Sequence, residues 1–327
     1  MEVRLPRFSP AGGNYRNRGA RSVTVTVIIP TWHRAEWLER CLRAVQHQTH
    51  RPDEVIVVGR TEDVAAAQVA GEAASSASFP VRWCVVARPG HIAPVQAGLA
   101  ATRTPLVAFL DDDTEPQPGW LQALVAPFAD SRVACVGGRV ITPGFRGRVH
   151  RDAGRVRWYG KHIGNVGALD APGVVEVDAV MEGNWAWRTE VLRRLRLDPI
   201  FEDGDATMYG LDLCLQAKAL GGRVVYEPRA QVIHYVAPRD PALDRADLGA
   251  RTFVYSRNMT YIGLKHFRGL RRVAWLAWWW PVGDSGSRGP VRAVADVLRR
   301  DGRPMGLLRL ELRGKVEGVH LWRKSAP

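Results

Sequence analysis

Asp111, Asp112 and Asp113 stand in a row where the apolar run "PLVAFL" ends, just before Pro116, Pro118 and Gly119 break the chain. Three like charges at the lip of a buried strand repel one another unless water or a cation neutralises them. One reading is an exposed turn whose Asp or Thr114 caps the helical pattern of "PGWLQALV". The other is a hard-cation site in which Asp111 and Asp113 offer oxygen ligands to Mg²⁺ or Mn²⁺, with water and a diphosphate completing the shell. Position at the carboxyl end of a predicted strand favours the metal.

The elements that must position these carboxylates form an alternating series. From Val23 the chain passes through "VTVTVII", a helix with Trp37, Leu38, Cys41, Leu42 and Val45 on one face, "EVIVV", an Ala-rich helix and "VRWCVV". A helix around Ala93 to Ala101, "PLVAFL" and a helix from Trp120 to Phe128 follow. Near-continuous Val/Ile runs separated by helical periods predict a doubly wound, mostly parallel sheet, Rossmann-like and covered on both faces. Ligands of such sheets lie outside the carboxyl ends of the strands, which directs attention to Pro30 and Thr31, to Arg60 through Asp63, and to the three aspartates. Between Thr142 and Val175 the pattern loosens into a glycine-rich loop. Order returns in "VDAVMEGNWAWRTEVLRRL", a helix near Tyr209 to Leu220, and strands "RVVYE" and "QVIHYV".

A chain of 327 residues with 46% hydrophobic residues can build a large core. Its net charge of +13 is unevenly spread: residues 1–22 carry +4, residues 23–238 carry −1 and residues 239–327 carry +10. The neutral middle holds the acidic cluster, so the basic ends serve another purpose. The segment 1–22 has no apolar stretch of the signal-peptide kind and is expected to be a disordered basic arm, consistent with a cytoplasmic protein. Cys41, Cys84, Cys135 and Cys214 lack metal-ligand spacing and are expected to be reduced core thiols.

The series "VTVIIPTWHRAEWLERCLRAVQHQTHRPDEVIVV", "PVQAGLAATRTPLVAFLDDDTEPQPGWL", "MEGNWAWRTEVL" and "GLDLCLQAKALGGRVVYEPRAQVIH" resembles the family-two glycosyltransferases. These are inverting enzymes with the A-type nucleotide-diphospho-sugar transferase fold, and the resemblance spans roughly Val23 to Pro238. It implies a catalytic domain over 23–238 and a sugar transferred from a nucleotide-diphospho-sugar to a hydroxyl of a glycan or lipid-linked acceptor, such as a cell-envelope polysaccharide. It also implies that Pro30, Thr31, Arg34, Arg60, Asp63, Gln96, Asp111 and Asp112 bind the nucleotide-sugar, that Asp111, Asp113 and His234 surround the divalent cation, and that Glu182, Asn184 and Trp185 face the acceptor. For His234 a plain strand cap is the alternative. A held cation fits the chemistry, because a nucleoside diphosphate leaves well only when charge growing on its β-phosphate is neutralised.

Two positions depart from the family pattern. An acidic pair commonly ends the second strand, whereas here Gly59 and Arg60 do so, with Glu62 and Asp63 following. Members usually place Glu-Asp before the "xDLCL" helix, whereas here Tyr209 and Gly210 occupy those places. The base that takes the acceptor's proton is therefore open. Asp212 in the first helical turn is the leading candidate, Asp203 and Asp205 on the preceding loop are the next, and a protein that binds nucleotide-sugar without turnover is the remaining case.

Residues 239–327 interleave Arg257, Lys265, Arg268, Arg271 and Arg272 with Tyr255, Tyr261, Phe267, Trp275, Trp278, Trp279 and Trp280. They form either a helical extension packed on the catalytic domain or an amphipathic segment resting on an anionic membrane, peripheral on the inner face of the plasma membrane. A membrane-surface scaffold reusing the fold is the corresponding functional alternative. Nucleic acid is set aside as a partner, because no nucleic-acid-binding motif accompanies the basic aromatic stretch. The longest apolar run, Val273 to Trp280, is far short of the roughly 20 residues needed to span a bilayer.

Overall fold

A computed structural model describes residues 23–88, 90–147, 149–202, 208–238, 247–299 and 304–325. The basic arm, Asp203 and Asp205 lie outside the described residues. The core is one nine-stranded sheet in the order β3-β2-β1-β4-β8-β6-β9-β5, with β7 also on β9.

The strand β1 (Val25–Pro30) lies between β2 (Glu54–Gly59) and β4 (Leu106–Leu110), and β3 (Val81–Val85) forms the far edge. These four are parallel, as unbroken apolar strands predict. The side chains of β1 alternate between two cores. Val25, Val27 and Ile29 meet Leu38, Cys41 and Leu42 of α1 (Ala35–Gln46), whereas Ile28 meets Val95 and Leu99 of α3 (Ile92–Ala101). Between them, α2 (Val64–Ser76) covers β2 and β3.

Beyond β4 the chain makes the short β5 (Thr114–Pro116), α4 (Trp120–Val125), β6 (Val133–Ile141) and β7 (Val175–Val177). It then enters β8 (Asn184–Arg188), antiparallel to both β4 and β6. The pairing Leu110↔Asn184 sets Gly183, and with it the neighbouring Glu182, beside Asp111. After α5 (Thr189–Arg194) and α6 (Tyr209–Ala219), the expected strands "RVVYE" and "QVIHYV" form one strand, β9 (Arg223–His234). Its register on β6 jumps from Glu227 to Gln231, where Pro228 has no N–H to give the ladder. Pairing of Thr114 with His234 then returns the end of β9 to the aspartates.

The extension forms α7 (Leu248–His266), α8 (Gly269–Trp279), α9 (Pro290–Leu298) and α10 (Leu307–Ser325). It shares the core under α3 and α6. Met259, Ile262, Trp275 and Trp279 are buried there beside Leu211 and Leu213. Trp275 and Trp279 are therefore core residues, as the packed alternative has it for these two side chains. Among the described residues no helix is long and apolar enough to cross a membrane. The four cysteines are free thiols, three of them buried, as expected.

Candidate active site

Three strand ends assemble the acidic cluster. Thr31, following β1, donates its hydroxyl to Asp112 Oδ2 at 2.8 Å. Arg34, opening α1, reaches Asp112 Oδ1 at 3.0 Å and Asp113 Oδ2 at 3.3 Å. From the end of β9, His234 Nε2 lies 3.3 Å from Asp113 Oδ1, and the Ala237 N–H donates to Asp113 Oδ2 at 3.0 Å. Asp111 is exposed, while Asp112 and Asp113 are buried.

Burial pushes the Asp112 carboxyl up to about 6, with Arg34 opposing and the Asp113 charge adding to the rise. Burial also works to raise Asp113, but the His234 hydrogen bond and charge, with Arg34, outweigh it and hold this carboxyl below its ordinary value. One ligand atom from each of Asp111, Asp113 and His234 falls within 4.8 Å of the others. Two carboxylates and an imidazole at that spacing suit a Mn²⁺ or Mg²⁺ that retains open positions for phosphate oxygens. Asp112 is instead spent on Thr31 and Arg34, and steadies the loop from inside.

Beside the cluster lie the ends of β1 and β2. The Arg60 guanidinium lies over the Trp32 ring at 4.1 Å and pairs with Glu62 at 3.1 Å. Asp63 is buried, capping α2 through Ala66 N–H at 3.3 Å and accepting from His33 N–H at 2.6 Å. It thus ties the loop after β1 to the loop after β2, and Asp63 acts through that tie. Pro30 ends β1 half-buried, and Gln96 is exposed on α3.

The acceptor expectation needs correcting at two of its three residues. Asn184 is fully buried and consumed by the scaffold: its Nδ2 donates to Arg139 O at 2.9 Å and Ala230 O at 3.0 Å, and its Oδ1 accepts from Trp120 Nε1 at 2.7 Å. Trp185 is fully buried against Trp187 and Tyr209, so neither residue is available to a substrate. Glu182, by contrast, is half-buried, and it accepts the Gly210 N–H at 2.7 Å.

The sequence profile of glycosyl transferase family 2 matches residues 26–188, the span that carries the aspartates and Glu182. The chain belongs to glycosyl transferase family 2. Over 264 residues it is 28% identical to the pre-mycofactocin glycosyltransferase of Mycobacterium tuberculosis (strain ATCC 25618 / H37Rv), a match covering 79% of this chain and 50% of that protein. The chain thus spans about half the length of the curated relatives it matches. Glycosyltransferase AglE of Haloferax volcanii is 30% identical over 118 residues, 36% of this chain and 39% of that one. Among solved structures, mannosyltransferase PcManGT from Pyrobaculum calidifontis, in complex with GDP-Man and Mn²⁺, superposes with a TM-score of 0.57 at 17% identity, covering 92% of this chain and 82% of that chain. S. aureus TarS 1–349 gives 0.54 at 13% identity, covering 77% and 70%. These likenesses show the shared A-type fold.

In this family 2 chain the first-turn acid of α6 has an unexpected environment. Asp212 is 1% exposed, and its oxygens meet Lys265 Nζ at 2.8 Å, His266 Nε2 at 2.7 Å and Gln216 Nε2 at 2.8 Å. Burial acts to raise its carboxyl, but His266 and Lys265 prevail and hold it below the ordinary carboxylate range. Lys265 also lies 3.7 Å from Asp198, which accepts a hydrogen bond from Tyr261. The geometry argues against Asp212 as a base: a buried carboxylate held by an ammonium, an imidazole and an amide is poorly placed to reach a sugar hydroxyl. Its partners lie in the basic stretch, where nothing in the local pattern marks Lys265 or His266 for α6.

Proposed function

We propose that the protein is an inverting glycosyltransferase that moves a sugar from a nucleoside-diphosphate donor to a hydroxyl of a glycan or lipid-linked acceptor, assisted by Mg²⁺ or Mn²⁺. The observation that carries this reading is the convergence of Asp111, Asp113 and His234 within 4.8 Å at the strand ends of a family 2 domain. The bound cation would supply Lewis acidity toward the leaving diphosphate. Arg34 braces Asp112 and Asp113, and Arg60 stacked on Trp32 offers a cationic platform at the nucleotide side. A neighbour of the same fold, solved in complex with GDP-Man and Mn²⁺, is in keeping with a nucleotide-sugar and a divalent cation as ligands.

A thermal-shift panel of UDP and GDP with and without Mn²⁺ tests the reading. Stabilisation by nucleotide that requires Mn²⁺ is expected, because a ligand that binds only the folded state raises its melting temperature. A folded protein indifferent to every nucleotide would remove it.

For location, the extension favours an anionic membrane surface. Its exposed apolar residues include Leu270 and Val273 on α8 and Val291, Val294, Val297 and Leu298 on α9, and Arg268, Arg271 and Arg299 are exposed near them in sequence. Aliphatic side chains with basic neighbours match the chemistry of an anionic interface.

A further inference from the structure

The space beside Gly210, at the start of α6, contains a carboxylate that comes from another segment of the chain. A Cβ built on Gly210 would fall 2.6 Å from the carboxyl carbon of Glu182 and 2.7 Å from its Cγ. A side chain at position 210 would therefore need the end of Glu182 to move aside, so the two positions compete for one space. The Glu182 carboxylate accepts the Gly210 N–H at 2.7 Å, one of the otherwise unpaired donors at the start of α6. Helix-end N–H groups favour the ionised form.

Glu182 also stands against the metal cluster. It precedes Gly183, whose carbonyl accepts the Asp111 N–H at 3.2 Å. Gly183 has φ 82°, and a Cβ there would lie 2.7 Å from Asp111 Oδ1, so this backbone is pressed onto the Asp111 carboxylate. Tyr209 is flanked by both acids, and its hydroxyl is pushed well up by burial and by the charges of Glu182 and Asp111. Among the neighbouring acids, Asp112 pairs with Arg34 and Asp212 with Lys265 and His266, and Asp111 and Asp113 form the cluster with His234.

We propose that Glu182 is the general base of the transfer, a catalytic residue that approaches from the β7–β8 connection and takes the place of an acid on α6. This rests on the glycosyltransferase reading above. The acceptor oxygen forms its bond to the anomeric carbon while its proton passes to the Glu182 carboxylate. The bond from that carbon to the diphosphate oxygen breaks, and its electron pair leaves with the nucleoside diphosphate. Protonated Glu182 then returns its proton to water.

The test measures Mn²⁺-dependent UDP and GDP binding, and nucleoside-diphosphate release from UDP-glucose, UDP-N-acetylglucosamine and GDP-mannose. Glu182→Gln should keep nucleotide affinity within about threefold while release falls by about 10² to 10⁴. The exchange Glu182→Gly with Gly210→Asp should recover at least about tenfold over Glu182→Gly alone, since the acid returns to the same space from the other chain segment. Release within about threefold of wild type in Glu182→Gln would overturn the assignment. So would a folded, nucleotide-binding double variant no faster than Glu182→Gly. Binding without release in the wild type would overturn it in favour of a nucleotide-sugar-binding protein, whereas absence of all nucleotide binding would sink the glycosyltransferase reading itself.

Discussion

Two acidic clusters in this molecule use the same side chains to opposite ends. At the strand ends, Asp111, Asp112 and Asp113 face one guanidinium and one imidazole, and Asp111 is exposed. Under α6, Asp198 and Asp212 are each 1% exposed and are matched by Lys265, His266 and the Tyr261 hydroxyl. In the pairings of the described residues the first cluster has more carboxylates than basic groups, and it has an opening; the second is closed and matched. Surplus charge at an opening is a demand for a cation, whereas a closed pair in low dielectric fixes one helix against another. Residue type alone does not separate the two uses.

The contrast can be broken most directly at Asp113. Asp113→Ala should lower Mn²⁺-dependent UDP or GDP affinity by more than about 10²-fold, beyond the roughly 10- to 100-fold typical of an outer-shell partner, because a ligand and a charge vanish together. Isothermal titration with and without Mn²⁺ measures this, and unchanged affinity in a folded variant would erase the distinction. Asp212→Asn should act on the fold instead. Breaking a buried pair costs about 3 to 5 kcal/mol, visible as a lower urea midpoint, with nucleotide affinity of the folded fraction preserved. A stable Asp212→Asn protein that has lost turnover would return Asp212 to the chemistry.

Acid titration sharpens the same point. The folded Asp212 carboxyl sits below its ordinary value of 3.8, so the unfolded chain binds the proton first and the stabilisation is present above that value. It is lost as pH falls through the folded value. The urea midpoint of the wild type should therefore drop below about pH 4, and Asp212→Asn should show a shallower drop. The smallest effect is expected at the surface: anionic vesicles should bind the protein in a salt-sensitive way, and Leu298→Asp should weaken that binding by about 1 kcal/mol, comparable to one basic contact. Equal binding to neutral and anionic vesicles would argue for an interface of another kind.

Much of this architecture was legible in the residues. The Val/Ile runs and turn positions specify the parallel half of the sheet, and the aspartates announce their strand end by charge alone. Asp111 and Asp113 could be grouped by their place at one strand end, whereas His234 joined them only through the family resemblance. The failures have a common physical origin. Asn184 and Trp185 look like site residues in "EGNWAWR", but register sends Asn184 into the crossing of three strands, and burial of its amide depends on Trp120, Arg139 and Ala230. Asp212 looks like a base because Lys265 lies 53 residues away. Glu182 and Gly210 form one unit across 28 residues, and only their contact shows that a missing acid and an added one share a place.

The Asp212 clamp also has a consequence for how the protein is made. The strands and acids of the catalytic cluster leave the ribosome well before Lys265 and His266, and domains take shape from the N-terminal side during synthesis at about 5 to 20 residues per second. Lys265 and His266 follow Asp212 by 53 and 54 residues, so at that rate the acid waits several seconds for its partners. The helix beside Glu182 is thus fastened last, by residues outside the family 2 match, so synthesis must reach α7 before this edge of the cleft acquires its final shape.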